Sequence, residues 1–168
     1  AITGTNITAF VGYADGGFDS SKTLVEQQSN LYGFGVDNLD FGVLMSKVAG
    51  RSYTAFKARM DDARLYGFDP DDFELSAQDL RFEYNSADTF GNTIDYVDSF
   101  DGGLLLGSTG AINIDFSGGK RLGVYAQTAT LSISQFMYVS GSIGFEQATY
   151  SGLKSGTSGT SVLNAKGF

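Results

Sequence analysis

Apolar residues recur at every second position in several short runs of this chain. Leu39, Phe41, Val43 and Met45 form one such run. Phe56, Ala58 and Met60 form another, interleaved with Lys57 and Arg59. In a third, Ile112, Ile114 and Phe116 alternate with Asn113 and Asp115. A period of two marks a half-buried strand, because successive side chains point to opposite faces of a sheet. The pattern predicts a core built from Phe41, Val43, Met45, Phe56, Ala58, Leu65, Leu75, Phe82, Leu131 and Phe145. Ile112, Ile114 and Phe116 should also face inward, with Asn113 and Asp115 outward.

Turn chemistry supports the same class. Gly118-Gly119 separates two alternating runs, and glycine tolerates the positive φ of tight hairpin turns. Val48-Ala49-Gly50-Arg51 does the same between Met45 and Tyr53. Pro70, within Asp69-Pro70-Asp71-Asp72, suits the second position of a type I turn. Antiparallel hairpins are therefore expected at Val48 to Arg51 and at Ser117 to Lys120. Thr23-Leu24-Val25-Glu26 reads as a capping box, so a short helix is expected near Thr23 to Gln28. The fold class is all-β, mainly antiparallel sheet with short hairpins, built as a sandwich or an elongated sheet; a β-solenoid is the alternative. Leu75-Ser76 before Leu80 to Glu83 is echoed by Val139-Ser140 before Ile143 to Glu146. Similar strands of one core would give the same echo, and its uneven spacing does not indicate strict solenoid coils.

Residues 1–150 read as one β-rich module. Residues 151–168 begin as a Gly/Ser/Thr-rich linker and end on the start of a further strand near Val162 to Ala165. The opening Ile2 to Val11 is strand-like too. Those two end segments are candidates to pair with a neighbouring module, and pairing within their own domain is the alternative. The chain opens on Ala1 rather than Met, as expected of a processed chain, a segment of a longer one, or an arbitrary cut.

Composition narrows the function classes. The 168 residues carry 11 Lys and Arg against 19 Asp and Glu, a net charge of −8. Such a surface repels phosphate backbones, so nucleic acid is not an expected partner. The chain contains neither Cys nor His. That excludes disulfides, imidazole bases, and the Ser-His-Asp and Cys-His triads. No run reaches the roughly 18 apolar residues expected of a helical membrane span.

Two acidic clusters carry candidate metal chemistry. Asp69, Asp71 and Asp72 surround the proline turn, with Glu74 close behind. Asp95, Asp98 and Asp101 precede Gly102-Gly103. Calcium takes six to eight oxygens and accepts irregular loops, so these six aspartates are the candidate calcium ligands. Neither cluster has the alternating acidic spacing of an EF-hand, and turn aspartates also serve the backbone directly. Glu83 and Glu146 hold matching places in the echo; a carboxylate pair is the minimum for a glycosidase, but their expected place is at strand ends facing water. Exposed Tyr residues would suit glycan stacking, although aromatic rings on sheets are more often core. No cofactor other than calcium is expected.

Four stretches resemble repeat modules of very large bacterial surface and secreted proteins, which also carry cadherin-like, Calx-β-like and RTX-type segments. They are YGFGVDNLDFGVLM, YTAFKARMDDARLYGF, FELSAQDLRFEYN and YAQTATLSISQFMYVSGSIGFEQATY. Phe73 to Asn85 and Ser140 to Gln147 match best. This sequence departs from the family in being more acidic at Asp61, Asp62 and Asp69 to Asp72. The resemblance implies an extracellular or cell-surface location and tandem structural repeats, with no catalytic residues to carry over. The expected function is a structural and interaction module of a bacterial surface assembly (an adhesin, sheath or fibre), with neighbouring copies as partners. A calcium- or glycan-binding module is the alternative, and a two-carboxylate glycosidase a remote one; an enzyme is not expected.

Overall fold

The computed structural model describes residues 1–107, 110–150, 153–155, 160–162 and 165–167. The chain is mainly antiparallel β. Its strands are β1 (Ile2–Ala14), β2 (Leu31–Val48), β3 (Arg51–Tyr66), β4 (Phe73–Asn85), β5 (Leu104–Leu106), β6 (Ile112–Ile114), β7 (Arg121–Ile133), β8 (Met137–Tyr150), β9 (Leu153–Ser155), β10 (Thr160–Val162) and β11 (Ala165–Gly167). The main sheet runs in the order β1-β2-β3-β4-β7-β8-β11. Six of these strands are long, and β11 adds a short pairing to Ala148–Tyr150 of β8. β5 pairs with β6, and β9 with β10, in two small separate sheets. The main sheet is an open meander, not a closed barrel and not the parallel coil of a solenoid.

Two of the three expected turns form as read. Val48 pairs with Arg51, and both residues between them have positive φ (Ala49 49°, Gly50 79°). That is the type I′ geometry which matches strand twist. The Asp69–Asp72 turn links β3 to β4, with the Asp72 N–H donating to the Asp69 carbonyl at 2.9 Å. The expected hairpin at Ser117 to Lys120 is not one. Gly118 and Gly119 do turn the chain (φ 75° and 78°), but β6 pairs with β5 while β7 pairs with β4. The sequence pattern identified both strands but not their partners, because β4 offered β7 a much longer ladder than three residues of β6.

The expected helix is a 3₁₀ helix over Val25–Asn30. Its capping box is present: the Thr23 N–H donates to Glu26 Oε2 at 2.8 Å, and the Glu26 N–H to Thr23 Oγ1 at 3.2 Å. A further turn of helix, α1 (Tyr96–Ser99), was not foreseen. Of the stretch read as a linker, residues 153–155, 160–162 and 165–167 are short strands; Asn164 and the rest lie outside the described residues.

The core sits in two small clusters, one on each side of the sheet. In the first, the segment between β4 and β7 folds over β2 and β3. It buries Tyr96, Leu106, Ile112, Ile114 and Phe116 against Ala55. The alternation at Ile112, Ile114 and Phe116 is thus correct, and Asp115 faces out to an ion pair with Lys57. In the second cluster, Leu24 and Leu31 pack against Tyr66, with Phe10 and Ala14 alongside.

Each cover rests on a β2 glycine. A Cβ on Gly42 would lie 2.8 Å from Ile112 Cγ2, and one on Gly35 would lie 2.6 Å from Leu24 Cδ1. Positions 35 and 42 have opposite parity, so they point to opposite faces. Along β3 the alternation continues through the middle of the sheet: Arg59 pairs with Asp61, and Asp62 with Arg64, each two residues apart on one face.

The residues predicted as core do share faces, but neither cover lies over them, and Phe41, Val43, Phe56, Leu65, Phe82 and Leu131 are only half-buried. Of the ten, only Ala58 is buried. Met45 is 65% exposed, and Leu75 and Phe145 are each 46% exposed. Period two reports which residues share a face; it does not report whether anything lies on that face.

Candidate functional site

Cross-strand register defines two apolar patches that neither cover reaches, their large side chains ranging from half-buried (Phe41, Phe56, Phe82) to exposed (Ile2, Val11, Phe145). One row of partners on the first is Gly4, Phe41, Ala58, Phe82, Val124 and Phe145. The next row is Ile2, Val43, Phe56, Tyr84, Leu122 and Gln147. Each row crosses all six long strands without a charge. This patch lies on the side of the sheet opposite the cover that holds Ile112 and Ile114.

The second bare patch lies in the other half of the strands and on the other side. Val11, Phe34 and Leu65 are successive partners, and Leu75, Leu131 and Val139 continue in register. Val11 is 77% exposed, and Val139 56%. The adjoining row is small: Ala9, Val36, Ala63, Ala77, Ala129 and Gly141. Tyr13 and Tyr32 close this end with their rings 6.3 Å apart.

Charge is distributed in the reverse of the usual pattern for edges. A soluble sheet ordinarily guards its outer strands with Lys, Pro or bulges. Here β1 has 13 residues and no charged side chain, and β8 has 14 with Glu146 alone. Among the long strands, the inner four carry all the other charges, from Asp37 on β2 to Arg121 on β7, and the short β11 carries Lys166. β1 has two register shifts between Gly4 and Ala9, but Ala9 to Ala14 pair with β2 without interruption. β8 has its shift opposite Ala126 to Ala129, leaving Met137 to Gly141 regular.

The charged residues form a clamp on the covered side. Arg121 Nε lies 2.8 Å from Glu83 Oε2, and Arg121 Nη2 lies 3.3 Å from Glu146 Oε2. Lys57 approaches Glu83 at 3.8 Å, and Tyr125 donates to Glu146 at 2.5 Å. Glu83 and Glu146 therefore lie mid-face rather than at strand ends, tied by one guanidinium across β4, β7 and β8. This arrangement fastens strands; it does not present a separate acid and base across a cleft. No local pattern points to Arg121, whose role depends on pairings many residues apart.

Of the aspartates read as calcium ligands, Asp69 and Asp95 turn their carboxylates to local backbone N–H groups. Asp69 Oδ1 accepts the Asp71 N–H at 3.0 Å, and the Asp69 carbonyl takes the Asp72 and Phe73 N–H groups. The Asp72 carbonyl accepts Ser134 N–H at 2.7 Å, which ties the turn to the β7–β8 turn. Asp95 Oδ1 caps α1 by accepting the Asp98 N–H at 2.9 Å. Asp101 takes positive φ (49°) in the turn after α1. Among the described residues, no three acidic, His or Cys side chains converge as metal ligands.

Asp88 and Asp62 are shifted in opposite directions. Asp88 organises its loop: it accepts from Asn92 Nδ2, the Asn92 and Phe90 N–H groups, and Arg51 Nη1. These bonds, that of the Asn92 side chain foremost, hold its carboxyl down at about 2. Asp62 is shifted the other way. Burial raises its pKa, with Asp37 and Glu74 adding like charge and Arg64 opposing.

No helix among the described residues is long and apolar enough to cross a membrane. No family model, curated protein or solved structure matches the chain.

Proposed function

We propose that this chain is a structural and interaction module that assembles with other protein, in keeping with the bacterial surface assembly its sequence resembles. One observation carries the reading. A single-layer sheet exposes, on opposite sides, two uncharged apolar patches with the regular rows of a packed core. Apolar area left in water is unfavourable by roughly 25 cal/mol per Å², and contiguous exposed patches of this kind mark interaction sites. Protein is favoured over lipid as the cover. A strand crossing a bilayer presents one continuous apolar side over about 9–11 residues. Here the apolar side changes midway along the strands.

The net charge of −8 keeps copies apart at low salt, so specific contacts must outweigh repulsion. Sedimentation velocity across a wide concentration range is the test. The expected result is reversible association that strengthens with ionic strength, as screening weakens the repulsion. A monomer at every concentration and salt level would overturn the proposal. A calcium titration in the same experiment separates the binding-module alternative, for which association or melting temperature would rise steeply with the metal.

A further inference from the structure

We infer that β1 of one copy pairs antiparallel with β8 of the next, Val11 opposite Val139, so that copies join edge to edge into one continuous sheet. This rests on the proposal that the chain assembles, and it specifies the occupant of the edges as a second copy.

Direction is the first argument. The six long strands alternate in direction across the sheet, so β1 and β8 are themselves antiparallel. A second copy placed beside the first in the same orientation therefore repeats the pairing type found throughout the sheet. An odd number of long strands would have forced a parallel junction.

Hydrogen bonding gives the second. Along one row of an antiparallel sheet, hydrogen-bonded and non-hydrogen-bonded pairs alternate. Six strands make five internal pairings, so the first and fifth are of the same type. A sixth pairing, β8 to the next β1, then takes the remaining type and meets outward-pointing groups on both strands. The alternation continues into the second copy without a break.

Side chains give the third. The regular parts of the two edges, Ala9 to Ala14 and Met137 to Gly141, terminate the same rows. Row continuation sets Ala9 beside Gly141 and Val11 beside Val139, small with small and β-branched with β-branched. It sets Tyr13 beside Met137, which is 39% exposed. No charged residue lies in either segment, so the junction desolvates no ion. Among the described residues, β11 covers Ala148–Tyr150 of β8, beyond the pairing segment.

The test uses the absence of cysteine in the chain. Val11→Cys and Val139→Cys are made separately, mixed and oxidised. Directly opposed residues bring Cβ atoms to about 4.5–5.5 Å, near the range that a disulfide bridges. The mixture is expected to give mainly the 11–139 dimer, and the doubly substituted chain a ladder of covalent oligomers. Val11→Cys mixed with Leu75→Cys is the control, because Leu75 belongs to the same apolar patch but lies inside the sheet. Ala9→Cys with Gly141→Cys tests the same register independently, and a Cβ at Gly141 meets nothing within 4 Å.

Association without either edge cross-link, equal yield from the 11–75 mixture, or dominant Val11→Cys homodimers would overturn the edge junction alone. A chain that stays monomeric overturns both the junction and the proposed function.

Discussion

Ala55 and Phe56 are neighbours on β3, yet they meet opposite fates. Ala55 is fully buried beneath the segment that carries Ile112 and Ile114. Phe56, much the larger, looks out from the bare side of the same strand. The same inversion recurs in the other half of the sheet. Tyr66 of β3 is 5% exposed under Leu24, while Phe34 of β2, on the opposite side of the sheet, is 47% exposed. The chain covers each face where a β2 glycine admits a short segment, and lays no such cover over Phe56 or Phe34. The difference shows that hydrophobic patterning in this sheet specifies more cover than the described residues supply.

The covered side should dominate the stability of the single chain. Ile114 is fully buried, so Ile114→Ala is expected to cost about 2–5 kcal/mol in chemical denaturation. Phe82→Ala, on the bare side, should cost clearly less in dilute solution despite the larger truncation. Its cost should grow with protein concentration as the patch becomes covered. Equal losses at the two positions, independent of concentration, would break the comparison.

Overpacking probes the same asymmetry. Gly42→Val forces a side chain under Ile112 and should cost about 1–3 kcal/mol by the same measurement. A Cβ at Gly141 enters open space, so Gly141→Ala should be close to neutral. Smaller again is Thr23→Ala, which removes half of the capping box that anchors the cover at Leu24. A loss of about 1 kcal/mol is expected.

The smallest effect concerns pH. Burial raises the pKa of folded Asp62, so the unfolded chain loses this proton first as pH rises. Asp62 therefore subtracts stability above the ordinary carboxylate range, and the penalty disappears as pH falls below it. Asp62→Asn should raise the melting temperature at neutral pH, with a gain that shrinks on acidification. Asp88 has the opposite sign. Its pKa is depressed to about 2, so its contribution is present above the ordinary carboxylate range and is lost only as pH falls through that value. Protection of the Asp88–Asn92 loop amides, relative to their intrinsic exchange rates, should fall in that acid range in the parent chain, and at all pH values in Asp88→Asn.

Much of the fold was legible in the sequence, because alternation and turn residues are local signals. They located the strands at Leu39 to Met45 and Ile112 to Phe116, the Ala49-Gly50 turn and the Thr23–Glu26 box. Pairing was harder. β6 was read as the hairpin partner of β7 because Gly118-Gly119 lies between them, but ladder length across the whole sheet decided that contact. The core failed for a related reason: Phe41, Phe82 and Phe145 were correctly placed on one face, and sequence period is silent about what covers a face. The candidate calcium aspartates rest on clustering along the chain; their positions add that Asp69 and Asp95 also serve turn and cap hydrogen bonds. The surfaces now proposed as functional were visible only once register aligned them, although the lack of charge in Ile2 to Ala14 was readable from the start.

Hydrogen–deuterium exchange followed by mass spectrometry, at low and at high protein concentration, tests the central claim most directly. Among the described residues, the outward N–H groups of Ala9 to Ala14 and Met137 to Gly141 have no strand partner, and they become paired when copies join. The account predicts that exchange in Ala9 to Ala14 and Met137 to Gly141 slows with rising concentration, while β3, paired on both sides in every state, does not change. Exchange in both edge segments that is fast and indifferent to concentration, in samples that sediment as a single species of monomer mass, would contradict it.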